Sequence, residues 1–328
     1  MATIKDVAAA AGLNVGTVSR IINNRGYISP KTRERVFDIM REMHYQPSEV
    51  ARSLTKQRTN TLGLIVPQVS HPYFAKLIDL TERAASDRGY KLMLHNSRLD
   101  STRMAECLEL CKASRVDGVI LLSREVDSSL FETPGLPVVS FERWPDSTAA
   151  TVRCDNVQGG ELAARCLIDG GCRQLLCFGD TGEVRMPAGG RITGFTKVCR
   201  EAGVHWRAVE TGQDDFLNMD YRATIGEALD KYPDTDGAFT GSDLIAAQLL
   251  QICAQRGLRV PEDLQIVGFD DVIPADLTIP TLTTIHQPLE EMVTAAMDLL
   301  EKMIGDEAVS PDTSFPVTLI RRGSTKGA

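Results

Sequence analysis

The segment TIKDVAAAAGLNVGTVSRIINN, residues 3–24, carries the signals for two short helices and the turn between them. Thr3 is an N-cap residue with Asp6 three positions on, the spacing of a capping box. The helix it opens runs through Val7 to Ala11 and stops at Gly12, a residue that closes helices in the left-handed conformation. Asn14 caps a second helix that continues through Ile22. Val18, Ile21 and Ile22 form one apolar stripe at i, i+3, i+4, while Thr17, Ser19, Arg20 and Asn23 cover much of the other side. Ser29-Pro30 pairs a cap with a proline in the first turn and starts a third helix. That helix is expected to turn Val36, Phe37, Met40 and Met43 inward and to end before Gln46-Pro47. Two short helices about a glycine-containing turn, packed by a third, form a helix-turn-helix unit. The second helix of such a unit enters the major groove of DNA. Arg20 has the reach and the fork to bind a guanine edge, and Ser and Thr hydroxyls suit phosphates or bases.

Charge is distributed to match. The 328-residue chain has a net charge of −8. Its first sixty residues hold ten Lys/Arg against five Asp/Glu, a net of +5, which leaves −13 for the remainder. A basic head on an acidic body fits nucleic-acid contact at one end only.

The segments TIKDVAAAAGLNVGTVSRIINN, SPKTRERV (29–36), HYQPSEVARSL (44–54) and TLGLIVP (61–67) resemble, in order and spacing, the lactose-repressor/galactose-repressor family of bacterial transcription regulators. The likeness continues to the end of the chain. It implies a DNA-binding regulator, a repressor, that meets double-stranded palindromic operator DNA as a homodimer and is switched by a small effector. Under the resemblance Val15, Gly16 and Arg20 are the base-reading positions, with Thr17 and Ser19 near the backbone. Gly16 stands where a residue with a side chain is usual. Asn23 and the loop from Arg25 to Tyr27 would face phosphates, and Thr3 is grouped with the DNA-contacting residues. Val50-Ala51-Arg52-Ser53-Leu54 matches the family's hinge helix, which folds on specific DNA and wedges a leucine, here Leu54, into the minor groove. The segment is short enough to be marginal alone and to order on binding. An apolar wedge unstacks a base step and bends the duplex.

From Thr61 onward strand-like and helix-like stretches alternate. Strands are expected at 62–66, 90–94, 116–122, 137–141, 174–179, 208–211, 237–240 and 264–269. Such alternation makes an α/β body with parallel sheets covered by helices. Ligands of open parallel sheets bind beyond the carboxyl ends of the strands. The resemblance implies a two-lobed periplasmic-binding-protein-like body with crossovers near Gly160, His286 and Val317. The expected division is a helix-turn-helix domain over 1–46, a hinge helix and linker over 47–60, and an effector-binding and dimerisation domain over 61–328. Within the last, one lobe takes about 61–160 and 287–317, the other 161–286 and 318–328.

The loops after the strands hold the effector candidates. Tyr73 and Phe74 can stack on a sugar ring or a base, and Glu142 follows the fourth strand. Arg185 and Arg191 lie in one segment, of which Arg191 matches the family's effector-binding arginine. Phe216 sits in a later loop. Ser242-Asp243 replaces the family's Asn-Asp, and Asp270 would accept hydrogen bonds from ligand hydroxyls. Carboxylates, an arginine and aromatic platforms suit a sugar or sugar derivative. Two arginines in one loop suit an acidic metabolite, and the aromatic pair suits a purine. Asp155-Asn156 reads as hinge structure.

Other classes fit less well. No G-x-G-x-x-G after a strand, P-loop or G-x-S-x-G is present, and the five histidines are scattered, so no enzyme and no cofactor is expected. The eight cysteines form no C-x-x-C pair and read as small buried side chains in a reduced interior. No apolar run approaches the ~18 residues of a membrane span, and the N-terminus lacks a secretory pattern. A cytoplasmic protein with no membrane partner is the expectation.

Overall fold

The computed structural model describes residues 2–46, 58–122, 136–142, 150–179 and 187–327, in two units that divide between Thr59 and Asn60. The first unit is built from capped helices: α1 (Ile4–Ala11), α2 (Val15–Ile22) and α3 (Pro30–Glu42). Thr3 and Asp6 form the capping box, Asp6 Oδ2 accepting from the Thr3 amide at 2.8 Å. Gly12 ends α1 at φ 65°, a conformation only glycine adopts without strain. Asn14 Oδ1 accepts from the Thr17 amide at 2.7 Å, and Ser29 Oγ from the Thr32 amide at 3.2 Å. Val7, Ala8, Ala11, Val18, Ile21, Val36 and Met40 are the buried core of this unit. Each large one contributes about 1.5–3 kcal/mol of apolar burial. Phe37, expected inside, is 40% exposed. Val36 and Met40 lie four apart on one face of α3, and Phe37 sits about 100° around the helix from Val36.

The second unit contains two six-stranded sheets. The chain forms β1 (Thr61–Val66), α4 (Pro72–Asp87), β2 (Lys91–Asn96), α5 (Ser101–Ala113), β3 (Gly118–Leu121), β4 (Val138–Phe141) and β5 (Ala150–Cys154). Next come α6 (Asn156–Asp169), β6 (Gln174–Gly179), a 3-10 turn at Pro187–Gly189, α7 (Gly190–Ala202), β7 (His205–Glu210), α8 (Gln213–Asn218), α9 (Arg222–Lys231), β8 (Gly237–Thr240) and α10 (Asp243–Arg256). The remainder is β9 (Gln265–Asp270), α11 (Ile273–Leu277), β10 (Thr283–His286), α12 (Leu289–Ile304), β11 (Asp312–Phe315) and β12 (Thr318–Ile320).

The first sheet has the order β11-β5-β4-β3-β1-β2, all parallel, with Leu62 opposite Leu92 on one side and Gly118 on the other. The second has the order β12-β10-β9-β8-β6-β7, parallel except for β12. Central strands such as β3, β4, β8 and β9 are buried along their whole length, as strands covered on both faces must be. β5, β10, β11 and β12 were not expected as strands. They are short, and β11 and β12 are partly exposed edge strands without a long apolar run.

The chain passes from the first sheet to the second at Asp155, ahead of Gly160, since α6 lies against β8, β9, β10 and β12. It returns between β10 and α12, which packs on α4 and the first sheet, and crosses a third time between Phe315 and Thr318. All eight cysteines are free and buried. Burial raises the Cys177 thiol to a direction that keeps it protonated.

Candidate functional sites: the recognition helix and the interlobe cleft

In the first unit, α2 is held inward by Val18 and Ile21, which turns its other face to solvent. Val15, Gly16 and Arg20 are exposed, and Thr17 and Ser19 are half-buried beside them. Arg20 is steadied by long hydrogen bonds, Nε to the Gly16 carbonyl and Nη2 to Thr17 Oγ1, both 3.4 Å. Asn23 closes the helix, its amide donating to the Ser19 carbonyl at 2.8 Å. Arg25 is exposed, and Tyr27 is 96% exposed, a large aromatic ring left in solvent. The Thr3 hydroxyl is taken up by Asp6, which accepts from it at 2.8 Å, so Thr3 serves the cap first. Those two bonds hold the Asp6 carboxyl below its ordinary range. Arg33, which the sequence reading passed over, donates to Asn24 Oδ1 at 2.6 Å and ties the loop after α2 to α3. Val50, Ala51 and Leu54, with the whole expected hinge helix, lie outside the described residues.

In the second unit a cleft, open to solvent at its mouth, lies between the carboxyl ends of the two sheets. Tyr73, Phe74, Phe141 and Glu142 line it from the first lobe. Arg191, Phe216, Tyr221, Ser242 and Asp270 line it from the second. Tyr73 and Phe74 come from the first turn of α4, where Pro72 opens the helix. Phe216 reaches them from α8, in a helix turned by Asp215 capping the Gly212 amide at 3.0 Å. The rings pack on one another: His71 stacks on Phe216 at 5.5 Å, and Phe74 meets Phe216 edge-on at 6.1 Å. His71 stood in the same loop without an assigned role.

The polar floor is one network. Glu142 Oε1 accepts from the Cys154 amide at 2.7 Å, and Oε2 accepts from Asn156 Nδ2 at 2.6 Å. Asn156 Oδ1 accepts from Arg191 Nε at 2.8 Å. Arg191 Nη1 donates to the Gly241 carbonyl at 2.5 Å and lies 3.7 Å from Asp270 Oδ1. The guanidinium also covers the Phe269 ring, 3.6 Å above its centroid. Gln287 Nε2 donates to Asp270 Oδ1 at 2.8 Å. Asp270 has φ 111°, in the region that favours glycine, a strained backbone that aims its carboxyl into the cleft.

Burial pushes the Asp270 carboxyl well above its usual range, with Arg191 pulling the other way. Burial, then the nearby Glu142 and Asp270, raises the Tyr73 phenol well above its usual value. The Tyr73 hydroxyl is buried and has no hydrogen-bond partner among the described residues, and neither does Gln287 Oε1. Such groups in a cleft are points where a ligand or water completes the bonding.

Asp243 departs from expectation. It is fully buried and absent from the cleft wall, accepting instead from Thr284 Oγ1 at 2.6 Å and from the Val272 amide at 2.9 Å. It braces β9, β10 and α10, because as the first residue of α10 it points back into the sheet while its neighbour Ser242 caps the helix and faces the cleft. Burial pushes its carboxyl up to about 7. Arg185 lies outside the described residues. Asn156 and Gln287 were missed as site residues. Asn156 stood in a sequence that read as hinge, and Gln287 carried no local signal. Among the described residues no helix is long and apolar enough to cross a membrane, and no cluster of His, Cys, Asp and Glu is placed to hold a metal ion.

Residues 3–48 match the family described as bacterial regulatory proteins, lacI family, and residues 164–325 match a periplasmic binding protein-like domain. The chain is 35% identical to the ribose operon repressor of Bacillus subtilis, with 99% of each chain covered. It is also 35% identical to the transcriptional repressor PurR of Erwinia tasmaniensis, covering 99% of this chain and 97% of that one. A periplasmic binding protein/LacI transcriptional regulator from Alkaliphilus metalliredigens, solved with D-xylulofuranose, is 31% identical with a TM-score of 0.71, covering 81% of this chain and all but 1% of the other at 99%. With a capped, basic recognition head, a two-sheet body and full-length relatives at this identity, the chain belongs to the lacI family of bacterial regulatory proteins.

Proposed function

We propose that the protein is a cytoplasmic repressor that binds a palindromic operator as a homodimer and is switched by a neutral sugar in the interlobe cleft. The observation that carries the effector class is how the cleft's guanidinium is held. Arg191, the one guanidinium among the described lining residues, already donates to Asn156 and to the Gly241 carbonyl and lies 3.7 Å from Asp270. An anionic effector would find no uncommitted guanidinium among those residues. Sugar hydroxyls both donate and accept, so they can satisfy Asp270, Arg191 and the Tyr73 hydroxyl together. The aromatic faces pack against each other, which leaves a purine less stacking surface. The ribose repressor relatives and the xylulofuranose-bound neighbour support a five-carbon sugar as the first compound to try.

On the DNA side, Arg20 and its neighbours on α2 read bases, with Arg25 and Tyr27 at the backbone and the Val50–Leu54 segment as the minor-groove hinge. Dimerisation is supported by an unusual apolar strip at the second lobe, where Ile273, Leu277 and Ile279 are 71%, 76% and 96% exposed.

A thermal-shift screen tests the effector reading with D-ribose, other neutral sugars, sugar phosphates, sugar acids and purines. A ligand that binds only the folded state raises Tm by mass action. A rise with a neutral sugar is expected. A rise confined to phosphorylated or acidic compounds, or to purines, overturns the neutral-sugar assignment.

A further inference from the structure

We propose that Asn156 is the positioning residue that sets the spacing of the cleft's charged groups across the two lobes, so that effector binding and lobe closure meet at one amide. The inference rests on the effector-site reading above and adds to it a residue that the reading does not use. Asn156 is 3% exposed, and both ends of its side chain are committed. Its oxygen accepts from Arg191 in the second lobe, and its nitrogen donates to Glu142 and, at 3.2 Å, to the Cys154 carbonyl in the first. An amide is directional. The donor end must face the carboxylate and the acceptor end the guanidinium, so this residue cannot be reversed without breaking both contacts.

The second-lobe side of the link is stiff. α6 and α7 approach so closely that a Cβ on Gly160 would stand 1.9 Å from the Arg191 carbonyl oxygen, and one on Gly194 2.0 Å from that of Val157. Glycine is required at both places, and the two helices move as one body. Asn156 opens α6 and Arg191 lies in the first turn of α7, so their contact is part of that body. Glu142 belongs to the other lobe, its amide bonded to the Val152 carbonyl of β5. Rotation of the lobes about the crossing at Asp155 therefore acts on the hydrogen bond between Glu142 and Asn156. A ligand that engages both Arg191 and Glu142 needs the same spacing, and so favours the lobe arrangement in which Asn156 joins them.

The exchange of partners between these two positions tests this. Asn156→Asp sets carboxylate against carboxylate. Glu142→Gln leaves one acceptor oxygen where Cys154 and Asn156 both need one. Combining the two restores the link between positions 142 and 156 with donor and acceptor exchanged, and the new carboxylate still accepts from Arg191. The 3.2 Å bond to the Cys154 carbonyl is lost in both variants that carry Asn156→Asp, so it does not distinguish them. The native cysteines are buried, so spin labels attach selectively at Glu82→Cys on α4 and Glu227→Cys on α9, both exposed sites. Distance distributions between the labels are measured by pulsed electron resonance on the full chain. Each single variant is expected to broaden and lengthen the distribution, and the double variant to return it to the parent profile. A single variant that overlays the parent, or a double variant as broad as the singles, overturns the proposal. Should Asn156→Asp not fold, Glu142→Gln carries the same comparison. In parallel, Kd for D-ribose is measured by calorimetry, with about a tenfold rise expected in Asn156→Asp and recovery in the double variant. If D-ribose does not bind the parent, the five-carbon-sugar reading fails while the distance measurement still decides the role of Asn156.

Discussion

In the recognition head, the polar contacts that shape the surface are short-range, reaching nine residues between Asn24 and Arg33. Thr3 bonds Asp6, Asn14 bonds Thr17 and Ser29 bonds Thr32, each three residues apart, and Asn23 bonds Ser19, four apart. In the cleft the contacts span 14 residues between Glu142 and Asn156, 35 between Asn156 and Arg191, and 50 between Arg191 and Gly241. The head is assembled from pieces that each specify themselves. The cleft exists only once two sheets and three crossings are in place. Damage to the head should therefore stay local and graded, while damage to the cleft floor should abolish the switch and leave the head intact.

The largest expected effect is at Asp270. Asp270→Ala removes a buried acceptor facing the ligand and should weaken effector binding by about 2–3 kcal/mol, while operator affinity without effector is unchanged. Titration calorimetry alongside operator binding checks both halves; a parallel loss of operator binding would show that the two regions are not separable. Next is Arg20. Arg20→Ala should cost about 1–3 kcal/mol on the specific operator and far less on random DNA, read by competition binding at fixed salt. Equal losses on the two DNAs would place Arg20 at phosphates.

The third prediction concerns pH and the body alone. The Asp243 carboxyl lies at about 7 in the fold, above its ordinary 3.8. An acid raised in this way stabilises the fold below its unfolded pKa and loses that contribution as pH rises through the folded one. Asp270 shifts in the same direction. The melting temperature of the body should thus decline as pH rises from about 4 to about 7 and level off above that, and Asp243→Asn should make the decline shallower. An identical slope in the variant would remove Asp243 from the effect. The smallest effect is Asn14→Ala, about 1 kcal/mol from the loss of a cap. Amide exchange should speed up in α1–α3 and stay unchanged in the sheets. Faster exchange in both units would contradict the locality on which the contrast rests.

The same difference in range explains what could be read from sequence. Caps and stripes announced α1, α2 and α3 almost to the residue, because their determinants lie within one or two turns. Even there Phe37 misled, since hydrophobicity does not report the angle around a helix. In the body the long apolar strands were plain, whereas β11 and β12 were not: their place comes from pairing with β5 and β10, far away in the chain. Glu142, Arg191, Phe216 and Asp270 were legible as residues at the ends of strands and starts of helices, helped by the family likeness. Their partners Asn156 and Gln287 were not, because an amide that holds another side chain has no signature of its own. Asp243 shows the converse, a carboxylate beside a cleft residue whose side chain turns into the sheet.

The three passages of the chain between the sheets constrain how such a protein can be cut and rejoined. Neither lobe is a continuous stretch, since the first sheet needs β11 and the second needs β12. One protease nick at any passage leaves two covalent ties, so a nicked body should hold together through purification. A hybrid regulator joined within the body would have to match three seams at once. Joined between Thr59 and Asn60, where the two units divide, it has one seam, and this is where a new operator preference can be grafted onto an existing effector response.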